Sequence, residues 1–495
     1  MHTRNEPVAV YDGVRALAFI GDLSMGQPTD HSARVARLAC RIARAAGMSA
    51  EAVHAVQDAA LLRWSGCTAN AMEVADVFGD DVAGREAMLA MRPGWAASLG
   101  RHGGAAAMRP LAEIHCEVSG QVAAMLGLPT RVGDILRAVF ETWDGGGNPR
   151  GLKGTEIPPE VFAVVLAGDV DILSRAYGVA PACEIIRGKA DAAYPASLVD
   201  IAMAHADAWI SELEHDEEPA PPTPATLRTA PLELIADVID LKLPWMTGYS
   251  RAVATAAAAC AKRMALDDAT VRAVYRAGLV HGIGRASVPN GIWNTPSRLS
   301  ANAWEKIRLV PYWTARAGRQ TGTLAQATEL ASYAYERTDG SGYFRSIGAP
   351  AVGQAAQILA ASVAWIALRS PRPWRDAMSD QAAASCLRDE ADRGRFDRHI
   401  VDALLAVETG ANVAPVKDDD KPLLDGASPT GNTLLTPRER DVLRAISLGG
   451  TNKEVARQLA LSPSTVRTHV ENAFRKLECT TRAAATLKAS ALGLL

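Results

Sequence analysis

The sequence predicts an all-α protein in which two copies of one helical bundle precede a small C-terminal domain of four helices. The chain has 495 residues, too many for one hydrophobic core, so we expect about three domains. Alanine is abundant and aromatic residues make up only 5%, a composition that favours helices. Apolar residues recur at three- and four-residue spacing in both large blocks, as they do in amphipathic helices.

Two segments have the composition of linkers. Residues 212–230 are acidic and then proline-rich, and residues 412–432 have the same character. Such segments are expected to be extended and solvated. They divide the chain into blocks of residues 1–211, 231–411 and 433–495.

The first two blocks contain related sequences. The segment that begins at His31 aligns without gaps with the segment that begins at Tyr249. Further along, both blocks contain the pattern Glu-x-x-Asp-Gly-x-Gly, starting at Glu141 and at Glu336. A shared helical period would not reproduce such a turn at nearly the same offset. We therefore expect an internal duplication of one helical bundle, with Asp144 and Asp339 capping a tight glycine turn.

Charge and cysteine content restrict the functional class. The net charge is −3, but residues 434–495 contain ten Lys and Arg against five Asp and Glu, a local charge of +5. A basic tail on an acidic body is typical of a chain that meets nucleic acid through the tail. The seven cysteines are dispersed without a Cys-x-x-Cys pair, which argues against a disulfide framework or a zinc site. Because neither a signal pattern nor an apolar run of about 20 residues occurs, we expect a cytoplasmic protein without membrane spans.

The tail contains start and stop signals for consecutive helices. Thr436 followed by Pro437 and Glu439 predicts a capped helix start, and Gly449 predicts the end of that helix. We expect Asn452 to cap the second helix and Ser464 to open the third. The buried stripe of the third helix is then Val466, Val470, Phe474 and Leu477.

Polar and basic side chains on the open face of the third helix suit the major groove of DNA. The matching motifs are LTPRERDVL, GGTNKEVARQLALSPSTVRTHV and RKL. On these motifs the tail resembles the LuxR/NarL-type helix-turn-helix, which implies that the third helix reads DNA and that the fourth, about residues 481–492, forms a dimer contact. The residues expected at the DNA are Asn452, Lys453, Ser464, Thr465, Arg467, Thr468, Glu471, Arg475 and Lys476.

The second block contains HGIGRASVPNGIW from His281, YERTDGSGYF from Tyr335 and RPWR from Arg372. On these motifs it resembles the HD-GYP domain, a helical phosphohydrolase fold whose best-known substrate is cyclic di-GMP. The resemblance implies a cluster of His and Asp ligands that would activate a metal-bound water. The expected ligand positions carry, in chain order, Tyr249, His281-Gly282, Val310, Ala334-Tyr335 and Ser362. Since only one ligand is kept, we expect no metal and no hydrolysis here.

The first block is the weaker copy. It keeps His31, His115 and Asp169 at positions that could be ligands, but its counterpart of the His-Asp pair is Arg63-Trp64. An arginine at that position would repel a metal, so we expect no catalysis here either. Aromatic and apolar replacements would make the cleft apolar, which suits a small organic ligand or filling by the protein's own side chains. The candidate pocket residues are Tyr249, His281, Val310, Tyr335, Ser362, Trp64 and His115.

These expectations combine into one hypothesis. The chain would be a one-component transcription regulator that binds double-stranded DNA as a homodimer. Two pseudoenzyme domains would receive a small molecule or a partner protein, without any cofactor. Two alternatives stay open: a metal-dependent phosphodiesterase fused to a DNA-binding domain, and an interaction scaffold that takes no ligand.

Overall fold

The computed structural model describes residues 6–102, 104–215, 220–349, 351–408 and 434–495. These residues form α-helices, short 3₁₀ helices and connecting loops, together with one antiparallel pair of three-residue strands. The all-α prediction is therefore confirmed. The chain divides into two compact units, one of residues 1–243, 285–293 and 320–323 and one of residues 244–284, 294–319 and 324–495.

Thirteen α-helices and the two strands belong to the first unit as far as it is described. The strands are β1 (Pro7–Ala9) and β2 (Thr229–Pro231), which pair antiparallel. The helices are α1 (Val10–Ser24), α2 (His31–Ala45), α3 (Ala50–Leu62), α4 (Ala71–Phe78), α5 (Asp81–Leu89), α6 (Ala97–Arg101), α7 (Met108–Met125), α8 (Thr130–Leu136), α9 (Pro159–Tyr177), α10 (Val179–Arg187), α11 (Ala196–His215), α12 (Glu233–Asp240) and, later in the chain, α15 (Asn290–Trp293).

The second unit contains the remaining described helices. Those of the second block are α13 (Tyr249–Arg263), α14 (Asp268–Val280), α16 (Ala301–Arg308), α17 (Val310–Gly318), α18 (Ala325–Ala331), α19 (Gln354–Arg369), α20 (Asp380–Asp392) and α21 (Arg398–Glu408). Those of the tail are α22 (Pro437–Ser447), α23 (Asn452–Gln458), α24 (Pro463–Leu477) and α25 (Arg482–Ala491).

The two sequence copies form matching helices. Helices α2 and α13 both have 15 residues, and α3 and α14 both have 13. Their caps match as well, since Ser49 accepts a hydrogen bond from the amide of Ala52 and Asp267 accepts one from the amide of Thr270. A side-chain oxygen at this position satisfies an amide that has no partner within the helix. The same local signals therefore produce the same pair of helices in each unit.

The Glu-x-x-Asp-Gly-x-Gly turn also has one geometry in both copies. Glu141 accepts hydrogen bonds from the amides nine and eleven residues later, at 2.8 and 2.9 Å. Glu336 accepts the corresponding pair, at 2.7 and 3.3 Å. Asp144 and Asp339 each accept a bond from the amide two residues later, both at 2.9 Å, while Gly145 has a positive φ of 86°. The expected structural role of these acidic residues is the one observed.

The structure differs from the expected linker of residues 212–230. Helix α11 continues to His215, and β2 pairs with β1. Between them, Thr223 is buried and its hydroxyl donates to Asp58 at 2.9 Å. Helix α12, expected to open the second block, also belongs to the first unit. These contacts satisfy polar groups that composition alone leaves to solvent. The second expected linker, residues 412–432, lies outside the described residues.

All seven cysteines are free thiols, and six of them are buried. Among the described helices, none combines the length and apolarity needed to cross a bilayer.

Candidate nucleic-acid interface and ligand cavity

The tail begins each of its first three helices with a side-chain cap. Thr436 and Glu439 form a reciprocal capping box at the start of α22, and Thr451 and Glu454 form another at α23. Ser462 accepts a hydrogen bond from the amide of Thr465 at α24. The expected positions of the last two caps are therefore wrong by one or two residues: Asn452 is the first helical residue after Thr451, and Ser464 lies inside α24.

Helix α24 divides into a buried and an exposed face. Val466, Ala473 and Leu477 are buried against the other tail helices. The opposite face carries the exposed side chains of Ser464, Thr465, Arg467, Thr468, Glu471 and Arg475. Small polar residues occupy its first turn, so a phosphate backbone or a base edge could approach closely there.

Two ion pairs within the tail engage three of the expected DNA contacts. Arg467 Nε lies 2.8 Å from Glu471 Oε1 on the exposed face, an i,i+4 pair that competing contacts can replace at little cost. Lys476 Nζ lies 2.6 Å from Glu439 Oε2, and that carboxylate is nearly buried. By contrast, Lys453 is exposed at the start of α23 and Asn452 is half-buried. Lys476 therefore has an internal role that its position in the sequence does not indicate.

A cavity of about 450 Å³ lies within the first unit. Its wall combines the ends of α1 and α3 with helices α4, α5, α7 and α9 and with the loops after α8 and α10. Trp64 and His115, two of the expected pocket residues, both line it, and their rings are 6.0 Å apart. Phe140 tilts against both rings, and Met25 and Cys67 pack on Trp64.

His115 is neutral within this wall. Burial lowers the pKa of the imidazole to about 3. Its Nε2 lies 2.8 Å from the backbone carbonyl of Arg63, and an imidazole at this carbonyl donates through Nε2–H. Its Nδ1 then faces the Cys67 thiol at 3.5 Å, and burial raises the pKa of that thiol to about 11. The pair is therefore uncharged at neutral pH and belongs to the apolar part of the wall.

Most polar groups of the wall have partners inside the protein. The Arg85 guanidinium donates to the carbonyls of Ser24 and Cys67 and to Asn70 Oδ1, at 3.1, 2.8 and 2.6 Å. Asp169 accepts a hydrogen bond from the Tyr194 hydroxyl and lies 3.5 Å from Lys189 Nζ.

Arg63 is different. Arg63 is only 3% exposed, and its guanidinium carbon lies 4.2 Å from the centre of the Trp64 ring. Among the described residues, neither Nε nor Nη1 has a hydrogen-bond partner. A buried charge without such partners is costly, and burial lowers the pKa of the group. Helix α9 admits the guanidinium only because residue 168 is glycine, since a Cβ there would lie 1.8 Å from Nη1.

The other five expected pocket residues lie in the second unit and do not line this cavity. Tyr249, His281, Val310 and Ser362 are buried there. Tyr249 donates to the carbonyl of Val363 at 3.0 Å, and its ring is 5.8 Å from that of His281. Tyr335 is half-buried and stacks on Tyr343 at 5.1 Å. Tyr249 and His281 are thus brought together, and the seven expected pocket residues divide between the two units.

Sequence reasoning missed most of the cavity wall. From the sequence, Arg63 is interpreted only as a residue that would repel a metal, and Phe140 is not singled out. Nothing in the sequence indicates that Met25 lines the cavity. It lies there because it directly follows the last residue of α1. An aromatic residue at a former ligand position is the one signal that could have pointed to Phe140.

The described donor atoms do not fit the metal cluster that an HD-type fold implies. No group of three or more His, Cys, Asp or Glu side chains among the described residues could hold a metal ion. His31 Nδ1 is 2.8 Å from Asp171, and His281 Nδ1 is 2.6 Å from the carbonyl of Gly278. The third histidine, His115, meets the carbonyl of Arg63. We therefore derive no reaction step through a metal.

Two parts of the chain match known protein families. Residues 233–400 match the HD domain, and residues 433–489 match the bacterial regulatory proteins of the luxR family. The chain thus joins a LuxR-type DNA-binding domain to an HD domain. Over 48 residues, 10% of this chain and 22% of the relative, it is 44% identical to the probable csgAB operon transcriptional regulatory protein of Salmonella typhimurium.

Relatives of the longer, N-terminal part are named as enzymes. The chain is 23% identical over 405 residues to the 3′3′-cGAMP-specific phosphodiesterase 3 of Vibrio cholerae, covering 74% of this chain and 88% of that protein. It is 28% identical over 324 residues to a cyclic di-GMP phosphodiesterase of Pseudomonas aeruginosa, covering 61% and 73%. A crystal structure of a Vibrio cholerae cyclic GMP-AMP phosphodiesterase covers 82% of this chain and 98% of its own, with 21% identity and a TM-score of 0.57. That likeness shows the fold.

These names correct one expectation. The sequence was expected to be that of a pseudoenzyme because ligand positions are substituted. The proteins to which this part of the chain is similar are named as cyclic-dinucleotide phosphodiesterases, so the assignment as a non-enzyme is contradicted. The substitutions describe the donor set and do not decide activity.

Proposed function

We propose that the chain is a one-component transcription regulator that acts in the cytoplasm, where bacterial operators lie. A homodimer binds the operator through the exposed face of α24, and a small molecule in the cavity of the first unit changes the affinity for DNA. The observation that carries the proposal is the presence, in one chain, of a LuxR-type domain with an open polar helix face and of a ligand-sized cavity elsewhere.

The contacts on the interface divide by role. Thr465, Arg467 and Thr468 lie in the first turns of α24, where side chains reach base edges in the major groove. The Arg467–Glu471 pair is exposed, so the guanidinium can exchange the carboxylate for a guanine edge. Lys453 and Arg475 are exposed cations suited to phosphates.

The cavity supplies the input. A ligand that binds only one conformation shifts the population by its differential affinity for the two states. A change of that kind would alter the spacing of the two recognition helices in the dimer, on which operator affinity depends.

The experiment is selection of bound duplexes from a random library with the full-length chain at physiological salt, followed by affinity measurement. We expect one enriched motif, bound at least a thousandfold more tightly than random DNA. Deleting residues 433–495 should abolish that binding. Lack of enrichment, or unchanged binding after the deletion, would refute the proposal.

The names of the relatives favour a second candidate, hydrolysis of a cyclic dinucleotide by the HD region. It is tested by measuring metal content and cyclic-dinucleotide turnover on one purified sample. Stoichiometric metal with turnover would establish this candidate. A metal-free sample without turnover would reject it and leave the receptor.

A further inference from the structure

The wall of the cavity in the first unit contains one buried cation, Arg63, that makes no ion pair among the described residues. Among the described residues, no carboxylate oxygen lies within 4.0 Å of the Arg63 guanidinium, and two of its nitrogens lack partners. Asp169, whose charge acts on Arg63, accepts a hydrogen bond from Tyr194 and pairs with Lys189. Buried charges in proteins are normally paired, so a group outside the chain is the natural counterion.

The rest of the wall selects the body of that group. Met25, Trp64, Phe140 and Leu111 present apolar surface, and His115 is uncharged. The second arginine of the wall, Arg85, already donates to three acceptors. One available cation and a largely apolar wall do not suit a molecule with two phosphates, because the second negative charge would be buried without a partner.

We propose that the cavity of the first unit binds an organic monocarboxylate with an apolar body, its carboxylate paired to Arg63 and its body packed between Trp64 and Phe140. This assignment rests on the proposed function, since it names the effector class of that receptor. The guanidinium carbon lies 4.2 Å from the centre of the Trp64 ring, and Arg63 belongs to the cavity wall. Arginine binds carboxylates through charge-assisted N–H···O hydrogen bonds.

The first test varies the head group of one apolar chain. Binding of decanoate, decanol and decylammonium to the full-length chain is measured by calorimetry. We expect decanoate to bind roughly ten- to a hundredfold more tightly than decanol, because a hydrogen bond to a charged partner is involved, and decylammonium to bind weakest. Equal affinity for acid and alcohol, or no binding of decanoate at millimolar concentration, overturns the proposal.

The second test changes the protein. Arg63→Gln should reduce decanoate affinity to that of decanol and leave decanol affinity unchanged, which shows that the cavity is preserved. Met88→Trp, on the cavity wall, should weaken both probes. Arg44→Gln, at the exposed end of α2, is the matched control and should change neither. Persistence of the acid preference in Arg63→Gln refutes the assignment.

The third test separates this inference from the proposed function. DNA affinity for the selected motif is measured with decanoate, with cyclic GMP-AMP and with neither. A decanoate-dependent change that Arg63→Gln abolishes supports both. Displacement of decanoate by the cyclic dinucleotide refutes the monocarboxylate and leaves the receptor. Absence of any specific DNA binding refutes the receptor itself, whatever the cavity binds.

Discussion

Arg63 and Gly168 share one space in the first unit, so any side chain added at residue 168 requires the guanidinium to move. The guanidinium reaches the cavity wall only because helix α9 has no Cβ at residue 168. Glycine within a helix costs about 1 kcal/mol relative to alanine. That cost is consistent with a position selected for a buried arginine and not for helix stability.

We predict that Gly168→Ala weakens decanoate binding and leaves decanol binding unchanged. The new methyl group would lie 1.8 Å from Nη1 and must displace the guanidinium. Calorimetry on the full-length chain measures both affinities. Gly133→Ala is the control, because its Cβ would meet the flexible end of Arg137 and the carbonyl of Gly120, neither of which lines the cavity. If Gly168→Ala retains the acid preference, the guanidinium is not held where the structure places it.

Asp58 makes the stability of the first unit depend on pH. The carboxyl is buried, and burial raises its pKa from the ordinary 3.8 to about 6, although the Thr223 hydroxyl donates to it. A folded pKa above the unfolded value means that the folded chain holds the proton longer. The stability that Asp58 contributes is therefore fully present below about pH 4, and it is lost as pH rises through the folded pKa of about 6.

We predict that Asp58 contributes a term to the free energy of unfolding of the wild-type first unit, and that about 1 kcal/mol of this term is lost as pH rises from 5 to 7 through the folded pKa of about 6. Asp58→Asn should lack this term. Denaturant unfolding at several pH values measures it, with exposed Asp76→Asn as the control. Parallel pH profiles for wild type and Asp58→Asn would contradict the prediction.

An ion pair joins helices α22 and α24, and it involves Lys476, one of the residues expected to contact DNA. Lys476 of α24 pairs with Glu439, whose carboxylate simultaneously caps α22 through the amide of Thr436. A nearly buried carboxylate that both caps a helix and forms an ion pair contributes more to stability than an exposed ion pair does. The contact therefore stabilises the domain before any DNA is bound.

We predict that two lysine substitutions in the tail affect different properties, one the affinity for DNA and the other the stability of the domain. Lys453→Ala should weaken binding to all duplexes and reduce the slope of log affinity against log salt by about one, because one phosphate contact is lost. Lys476→Ala should leave that slope unchanged and lower the stability of the tail by about 1 kcal/mol. Fluorescence anisotropy over a salt series and thermal unfolding distinguish them. A lower salt slope for Lys476→Ala would restore it as a phosphate contact.

At the scale of the whole chain, the HD domain and the LuxR-type domain bring together two kinds of relative. The phosphodiesterases resemble the longer N-terminal part, while the operon regulator resembles only the tail. A chain of this kind can couple a ligand to DNA without a separate messenger, provided that both sites favour the same conformation.

We predict that the selected operator is a two-fold palindrome whose half-site centres lie about 34 Å apart, one turn of DNA. The prediction follows from the proposed homodimer, in which two identical recognition helices enter the major groove at half-sites one helical turn apart. Sedimentation of the full-length chain with and without the duplex gives the stoichiometry. An asymmetric motif bound by one chain would contradict it.

Short-range signals in the sequence predicted much of the fold. The repeat at His31 and Tyr249, the capping threonine at 436 and the glycine turn at Glu141 each act within a few residues, and each is present in the structure. Errors of one or two residues arose where several capping residues compete, as at Thr451 and Ser462. The packed segment around Thr223 was missed because its partner, Asp58, is distant in the chain.

By itself, the sequence determined the helical class, the duplication, and the LuxR-type tail with its exposed polar face, since these depend on local period, caps and motif spacing. Only the tertiary structure decided that Trp64 and His115 border a cavity while Tyr249 and His281 pack in another unit. It alone placed Arg63 against Gly168 and paired Lys476 with Glu439. Such contacts join residues far apart in the chain, and whether a buried charge finds a partner is decided by the packing of several helices at once.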